Sequence, residues 1–335
     1  MYAQSGRLKD PKAKGKARPT PIAEPTGQKS SPATTKTPGS TKEPSDEVDA
    51  ADVVRISSNL VPIPASVVDH KGYAVTGLKI EDFELWVDGE LRSISDMTRS
   101  ETPVRLAMLF DNSGSIDSAR EFEKQAAMHF FRKVMRPSDE AAIYSVESDS
   151  YLAQPLTNDI QRLEQTIANF GKPEGSTSLF DAIVDAAGYL RPYPGRRVIV
   201  IVSDGVETTS RADFETTIQR VLADDCQIFV VQTGLYEGAN VRALAAERRM
   251  EQFAIQTGGA TYLPKSTADL DTAFKQIAAD LAQQYVLSYY QPEQRRDGRF
   301  HVIDLRVKLR KDLRVRARKR YYSPKSATVA ATDLD

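Results

Sequence analysis

The segment Arg197–Ser203, RVIVIVS, has five consecutive branched apolar residues at its centre and no polar alternation. A strand with one face in water alternates polar and apolar positions. A strand without that alternation needs cover on both faces, which is the condition of a parallel sheet sandwiched between helices. The neighbouring segments supply such a setting. Val104–Phe110 (VRLAMLF) predicts a buried strand, followed by a glycine-containing loop and a helix ending before Pro137. Ala142–Glu147, Gln227–Thr233 and Gly259–Leu263 predict further strands. Helical periodicity runs through Asn158–Phe170, with Thr157 or Asn158 able to cap it, and through Leu179–Leu190, Asp213–Ala223, Val241–Gln256 and Asp269–Gln283. Strands and helices in alternation predict a doubly wound, Rossmann-like α/β domain over residues 101–283.

The flanks read differently. Residues 51–100 hold short β-type runs at Val53–Ile56, Leu60–Val68, Phe83–Val87 and Ser93–Met97, with turns at His70-Lys71-Gly72 and Asp88-Gly89. Residues 284–323 return to β character at Tyr285–Tyr290, Phe300–Leu309 and Leu313–Lys319. Neither flank has enough strands to close a core alone, so the two are expected to pair as one split β-sandwich with the α/β domain inserted in it. Residues 1–50 are rich in Pro, Lys, Thr, Ser and Gly and lack large apolar side chains. Such a stretch cannot bury enough surface to offset the entropy of ordering, and it reads as a disordered tether. Residues 324–335 read as a disordered tail.

Composition narrows the function classes. Of 335 residues, 40% are apolar and 27% charged, which suits globular domains. A formal net charge of -1 gives no global bias toward nucleic acid or membrane. Cys226 is the only cysteine, so no intrachain disulfide forms, and its strand-like surroundings mark it as a small buried hydrophobe. The three histidines, His70, His129 and His301, stand in no catalytic spacing. The chain has no GxxxxGK loop for nucleotide phosphates and no GxSxG elbow for an acyl-enzyme. No apolar run reaches the ~20 residues of a membrane span. The opening MYAQSGRLKDPKAKGK also lacks the apolar core of a signal peptide.

The strongest chemical signal is Asp111-Asn112-Ser113-Gly114-Ser115, directly after the strand ending at Phe110. In an open α/β sheet, ligands bind beyond the carboxyl ends of the strands, where the strand order reverses. One carboxylate and two hydroxyls there suit a hard divalent cation, which prefers oxygen ligands. Thr177, in Gly175-Ser176-Thr177, adds a hydroxyl, and Asp204, after the most apolar strand, adds a second carboxylate. Few protein charges leave such a cation underneutralised, so it seeks another anionic oxygen. Asn112, Asp117, Asp181 and Glu207 lie near these loops, where helix capping or a solvated position is the expected role of each.

The three-loop combination resembles the von Willebrand factor A-type domain, over roughly residues 102–283, and its metal-ion-dependent adhesion site (MIDAS). All five positions match: Asp111, Ser113, Ser115, Thr177 and Asp204. The resemblance implies a non-enzymatic module that holds Mg2+ (or Mn2+ or Ca2+) and captures a carboxylate of a protein partner. It also implies that Ser113, Ser115 and Thr177 ligate directly, with Asp111 and Asp204 acting mostly through water. The flanks resemble bacterial, acidobacterial-type VWFA-related proteins, whose members are typically exported. An extracytoplasmic place is therefore expected, with a cytoplasmic adaptor for a chaperone-like ATPase as the alternative. A metal-dependent hydrolase is the remaining one, although Ser113 stands where that chemistry usually wants a second acid.

One basic run remains. Arg306, Lys308 and Arg310, then Arg314, Arg316 and Arg318, alternate with apolar residues. Period-two spacing predicts a hairpin with all the cations on one face, read as a solvated surface in preference to a patch for an anionic polymer. Tyr285, Tyr289, Tyr290, Tyr321 and Tyr322 are expected to pack in the sandwich.

Overall fold

The computed structural model describes residues 59–325, apart from 100, 113–119, 172–174, 204–206, 208, 233–240, 309 and 311. The expected tether, the strand expected at Val53–Ile56 and nearly all of the expected tail lie outside these residues. The flank before the α/β layer contributes β1 (Leu60–Val68), β2 (Phe83–Val87), β3 (Glu90–Arg92) and β4 (Asp96–Arg99). The α/β layer runs β5 (Val104–Asp111), α1 (Arg120–Val134), β6 (Glu140–Val146), β7 (Tyr151–Thr157), α2 (Ile160–Ala168), α3 (Leu179–Leu190) and β8 (Arg196–Ser203). It continues through α4 (Phe214–Ala223), β9 (Cys226–Gln232), α5 (Val241–Thr257), β10 (Thr261–Tyr262) and α6 (Thr267–Gln283). The closing flank contributes β11 (Tyr285–Tyr290), β12 (Arg299–Val307), β13 (Arg314–Ala317) and β14 (Arg320–Ser323).

The central sheet has the order β10-β9-β8-β5-β6-β7, parallel except for β7, which pairs antiparallel with β6. Its two faces explain the apolar run. Val198, Val200 and Val202 of β8 join Leu106, Met108 and Phe110 of β5 in one core, under α1, α2 and α6. Ile199 and Ile201 join Ala107 and Leu109 in the other, under α3, α4 and α5. Each fully buried side chain of this size contributes about 1.5–3 kcal/mol, so both helical layers are held firmly. On α1, Ala126, Ala127, Phe130, Phe131 and Val134 form the buried stripe that a 3.6-residue period produces.

Two antiparallel sheets, β13-β1-β11-β4 and β14-β12-β2-β3, mix strands from both flanks. β1 pairs with β11 from Leu60↔Tyr290 to Ala65↔Tyr285, and β2 pairs with β12 from Phe83↔Val307 to Val87↔Ile303. The core between the sheets takes alternate residues: Ile63, Ala65 and Val67 of β1, Leu85 of β2, Leu287 of β11 and Leu305 of β12. Tyr285, Tyr289 and Tyr321 join that core, whereas Tyr290 and Tyr322 are exposed.

Two local expectations change, and one strand was not anticipated. β7 arises from YLAQPLT, an edge strand whose half-exposed residues and Pro155 weaken its pattern. Asp159 caps α2, accepting from Arg162 N at 3.1 Å, where Thr157 or Asn158 was expected. The basic run forms no hairpin, because β12 and β13 belong to different sheets. Period-two spacing decides which side of a strand faces the core but not which sheet the strand joins. Its arginines are accordingly dispersed: Arg316 pairs with Asp280 at 2.7 Å, Arg318 with Asp225, Arg306 with Asp304 and Arg310 with Asp312.

Candidate functional site

β5 lies between β8 and β6, so the chain leaves β5 toward one side of the sheet and later returns on the other. The carboxyl ends of β5 and β8 therefore flank the reversal in strand order, where an open α/β sheet leaves a crevice. Asp111 ends β5 and Ser203 ends β8, each 1% exposed. The Ser203 hydroxyl donates to Asp111 Oδ2 at 2.5 Å, fixing one carboxylate oxygen.

A second seam joins this loop to the one before α3. Asn112 N donates to the Val146 carbonyl at 2.9 Å, and Asn112 Nδ2 donates to Glu147 Oε1 at 2.7 Å. Ser145 Oγ donates to the same carboxylate oxygen at 2.7 Å. From the other side, Ser178 donates to the Glu147 carbonyl through its backbone N at 2.9 Å and its hydroxyl at 2.5 Å. Glu147 thus holds the loop of Asp111 with its side chain and the loop of Thr177 with its backbone. Gly175 helps seat that second loop. Its φ is +80°, and a Cβ there would lie 2.6 Å from Ser148 Oγ, the atom that accepts from Ser176 N at 3.0 Å.

Thr177 is 3% exposed, and its carbonyl accepts from Thr209 N at 3.1 Å and Thr209 Oγ1 at 3.2 Å. Glu207 extends the stitching. Oε2 accepts from Phe180 N at 3.0 Å, one of the donors the first turn of α3 leaves without an intrahelical partner. Oε1 accepts from Thr209 N and Ser210 N. Asp181 accepts from Arg211 N and Ala212 N, both at 3.0 Å. Against a burial that would raise it, those backbone donors and the Arg211 guanidinium hold the Asp181 carboxyl below the usual carboxylate range. The expectation of capping therefore holds for Glu207, whereas Asp181, inside α3, instead holds the segment before α4. Asn112 is buried and ties strand ends together, and Asp117 lies outside the described residues.

Of the five expected donors, the structure describes Asp111 and Thr177; Ser113, Ser115 and Asp204 lie outside the described residues. Among the described residues no group of three or more His, Cys, Asp or Glu is arranged as a metal cluster. The donors on this crest are carboxylate and hydroxyl oxygens, the set that suits Mg2+, Mn2+ or Ca2+ and disfavours soft metals. Glu147 and Ser203 were not singled out from the sequence. Their one signal is position, at the carboxyl ends of strands adjoining β5. Cys226 is 4% exposed, and burial pushes its thiol up, away from reactivity.

Residues 106–207 match the family model of the von Willebrand factor type A domain. No curated protein matches the chain. Three solved structures are similar to this chain in part. An aerotolerance-related membrane protein from Bacteroides fragilis NCTC 9343, with multiple mutations to serines, is 19% identical; the match covers 52% of this chain and 98% of that one, with a TM-score of 0.43. The PilB minor pilin from Streptococcus sanguinis is 14% identical over 56% of this chain, with a TM-score of 0.44, and the match spans 64% of the pilin. A von Willebrand factor type A protein from Catenulispora acidiphila is 10% identical over 82% of this chain and 76% of that one, with a TM-score of 0.47.

Proposed function

We propose that this chain, which carries a von Willebrand factor type A domain, is a divalent-cation-dependent binding module that captures a carboxylate of a protein partner. Such domains commonly serve as non-enzymatic interaction modules, and the proposal makes their cation dependence specific to Asp111, Ser113, Ser115, Thr177 and Asp204. The observation that carries it is the buried Asp111 carboxylate at the strand-order reversal, tied to Ser203 and, through Asn112 and Glu147, to the loop of Thr177.

A hard cation fits that donor chemistry. When bound, it supplies a positive centre with room for an external anionic oxygen. The protein's own part is orientation. Ser203 leaves Asp111 one fixed oxygen, Glu147 sets the separation of two loops, and Glu207 anchors the start of α3. These bonds fix Asp111 and the loop of Thr177, which lowers the ordering cost of binding at those positions. We further propose an extracytoplasmic location, which fractionation of native cells tests. Among the described residues no helix is long and apolar enough to cross a membrane.

The recognition step is tested by surface binding of synthetic peptides bearing a single Asp or Glu, compared with their Asn and Gln counterparts, in Mn2+ and in EDTA. Binding that requires both the carboxylate and the cation supports the reading. Peptide binding unchanged by EDTA overturns it.

A further inference from the structure

A cavity of about 200 Å³ lies at the opposite, amino-terminal end of the central strands, where the α/β layer meets β1 and β11. Its walls include Arg196 and Arg197 at the start of β8, Arg318 after β13, and Asp225 before β9. Pro62 and Pro64 of β1 form part of the apolar wall; β13 pairs with β1 only from Ala65 onward, so both prolines fall where β1 has one neighbour.

Three guanidiniums and one carboxylate thus line the cavity. Asp225 is shared between Arg318 and Arg197, the latter at 3.7 Å. Among the described residues Arg196 donates to neutral acceptors, the Leu281 carbonyl at 2.6 Å and the Gln284 side-chain oxygen. Asp139 and Asp280 act on Arg196 only through space, and Arg136 opposes them. The Nε atoms of Arg197 and Arg318 are buried and meet no hydrogen-bond partner among the described residues. A planar guanidinium pairs bidentately with a carboxylate, so a cavity lined by three of them and one carboxylate favours such a ligand. A junction between two layers is also a common place for a small-molecule pocket.

We infer that this cavity binds a short-chain organic carboxylate, its carboxylate against Arg196, Arg197 and Arg318 and its aliphatic part against Pro62, Pro64 and Leu222. The site is distinct from the metal crest, about 23 Å away along β8 at 3.3 Å per residue. Binding here is independent of any cation.

The test is calorimetric titration of the whole chain with butyrate, succinate, sulfate and chloride, all in EDTA. Saturable binding of butyrate or succinate is expected, weaker by about tenfold or more in Arg196→Gln and Arg197→Gln. Asp225→Asn is expected to strengthen it, since the one opposing charge is removed. Asp225 has a φ of +54°, a conformation Asn tolerates, so the turn survives the change. Three results overturn the inference: no saturable carboxylate binding in wild type and Asp225→Asn, sulfate or chloride binding as tightly as the carboxylates, or arginine variants that bind as wild type does.

Discussion

At the carboxyl end of the central sheet, β5 and β8 finish in Asp111 and Ser203, oxygen groups one hydrogen bond apart. At the amino end, the same β8 begins with Arg196 and Arg197, beside Arg318 from the closing flank. One end gathers oxygen groups at strand ends, the other gathers cations against packed layers. The difference follows from what each end must do. The carboxyl crest is held by side-chain bonds between strand ends and to neighbouring backbone. The amino end is where the antiparallel sheets seat, so its charges are enclosed. One sheet thus sets oxygen groups at one end and guanidiniums at the other because its two ends are built from different elements.

Damage at the amino end should leave the crest intact, and the largest effect is expected there. A Cβ on Gly259 would lie 1.8 Å from the Ile228 carbonyl oxygen. Gly259→Ala should therefore destabilise the fold by about 3 kcal/mol, read as a lower Tm, with cation affinity of the folded fraction unchanged.

The second effect is a pH dependence at the seam between the layers. Asp280, 2% exposed, pairs with Arg316 at 2.7 Å and accepts from Tyr262 at 3.4 Å. Burial pushes its carboxyl up to about 6, outweighing those partners. The native state then binds this proton more tightly than the unfolded chain does. The contribution is complete below the ordinary value of 3.8 and is lost as pH rises through 6. Wild type should lose about 2–3 kcal/mol from this group between pH 4 and pH 7, and Asp280→Asn should flatten that slope in urea melts.

Much of this arrangement was legible in the sequence, for identifiable reasons. RVIVIVS carried the two-sided burial of β8 because every interior position is apolar, and Leu179–Leu190 coincides with α3. The positions of Asp111 at the end of β5 and Thr177 before α3 were legible because a strand end and a helix start mark the crest of such a sheet. Glu147 was not, because its role is to join residues 35 apart in one direction and 31 in the other, and no local pattern encodes that. The sheet assignment of β13 escaped for a related reason: its alternation matches either sheet of the sandwich.

Glu147 gives the third effect. Glu147→Ala should lower cation affinity about tenfold by loosening two loops, with a small drop in Tm, and Glu147→Gln, which keeps an acceptor for Asn112, should restore most of it. Calorimetry across the two variants separates positioning from general damage. The smallest effect is expected at Arg310, whose pair with Asp312 is fully exposed. Arg310→Ala should change neither Tm nor cation affinity measurably, as a surface pair on neither end should.

The most direct measurement is calorimetric titration of Mg2+ and Mn2+ into wild type and Asp111→Ala, with circular dichroism melts to establish that both are folded. A single saturable site in wild type that Asp111→Ala loses is the predicted result. Equal cation binding by the two folded proteins, or none by wild type, would contradict the account.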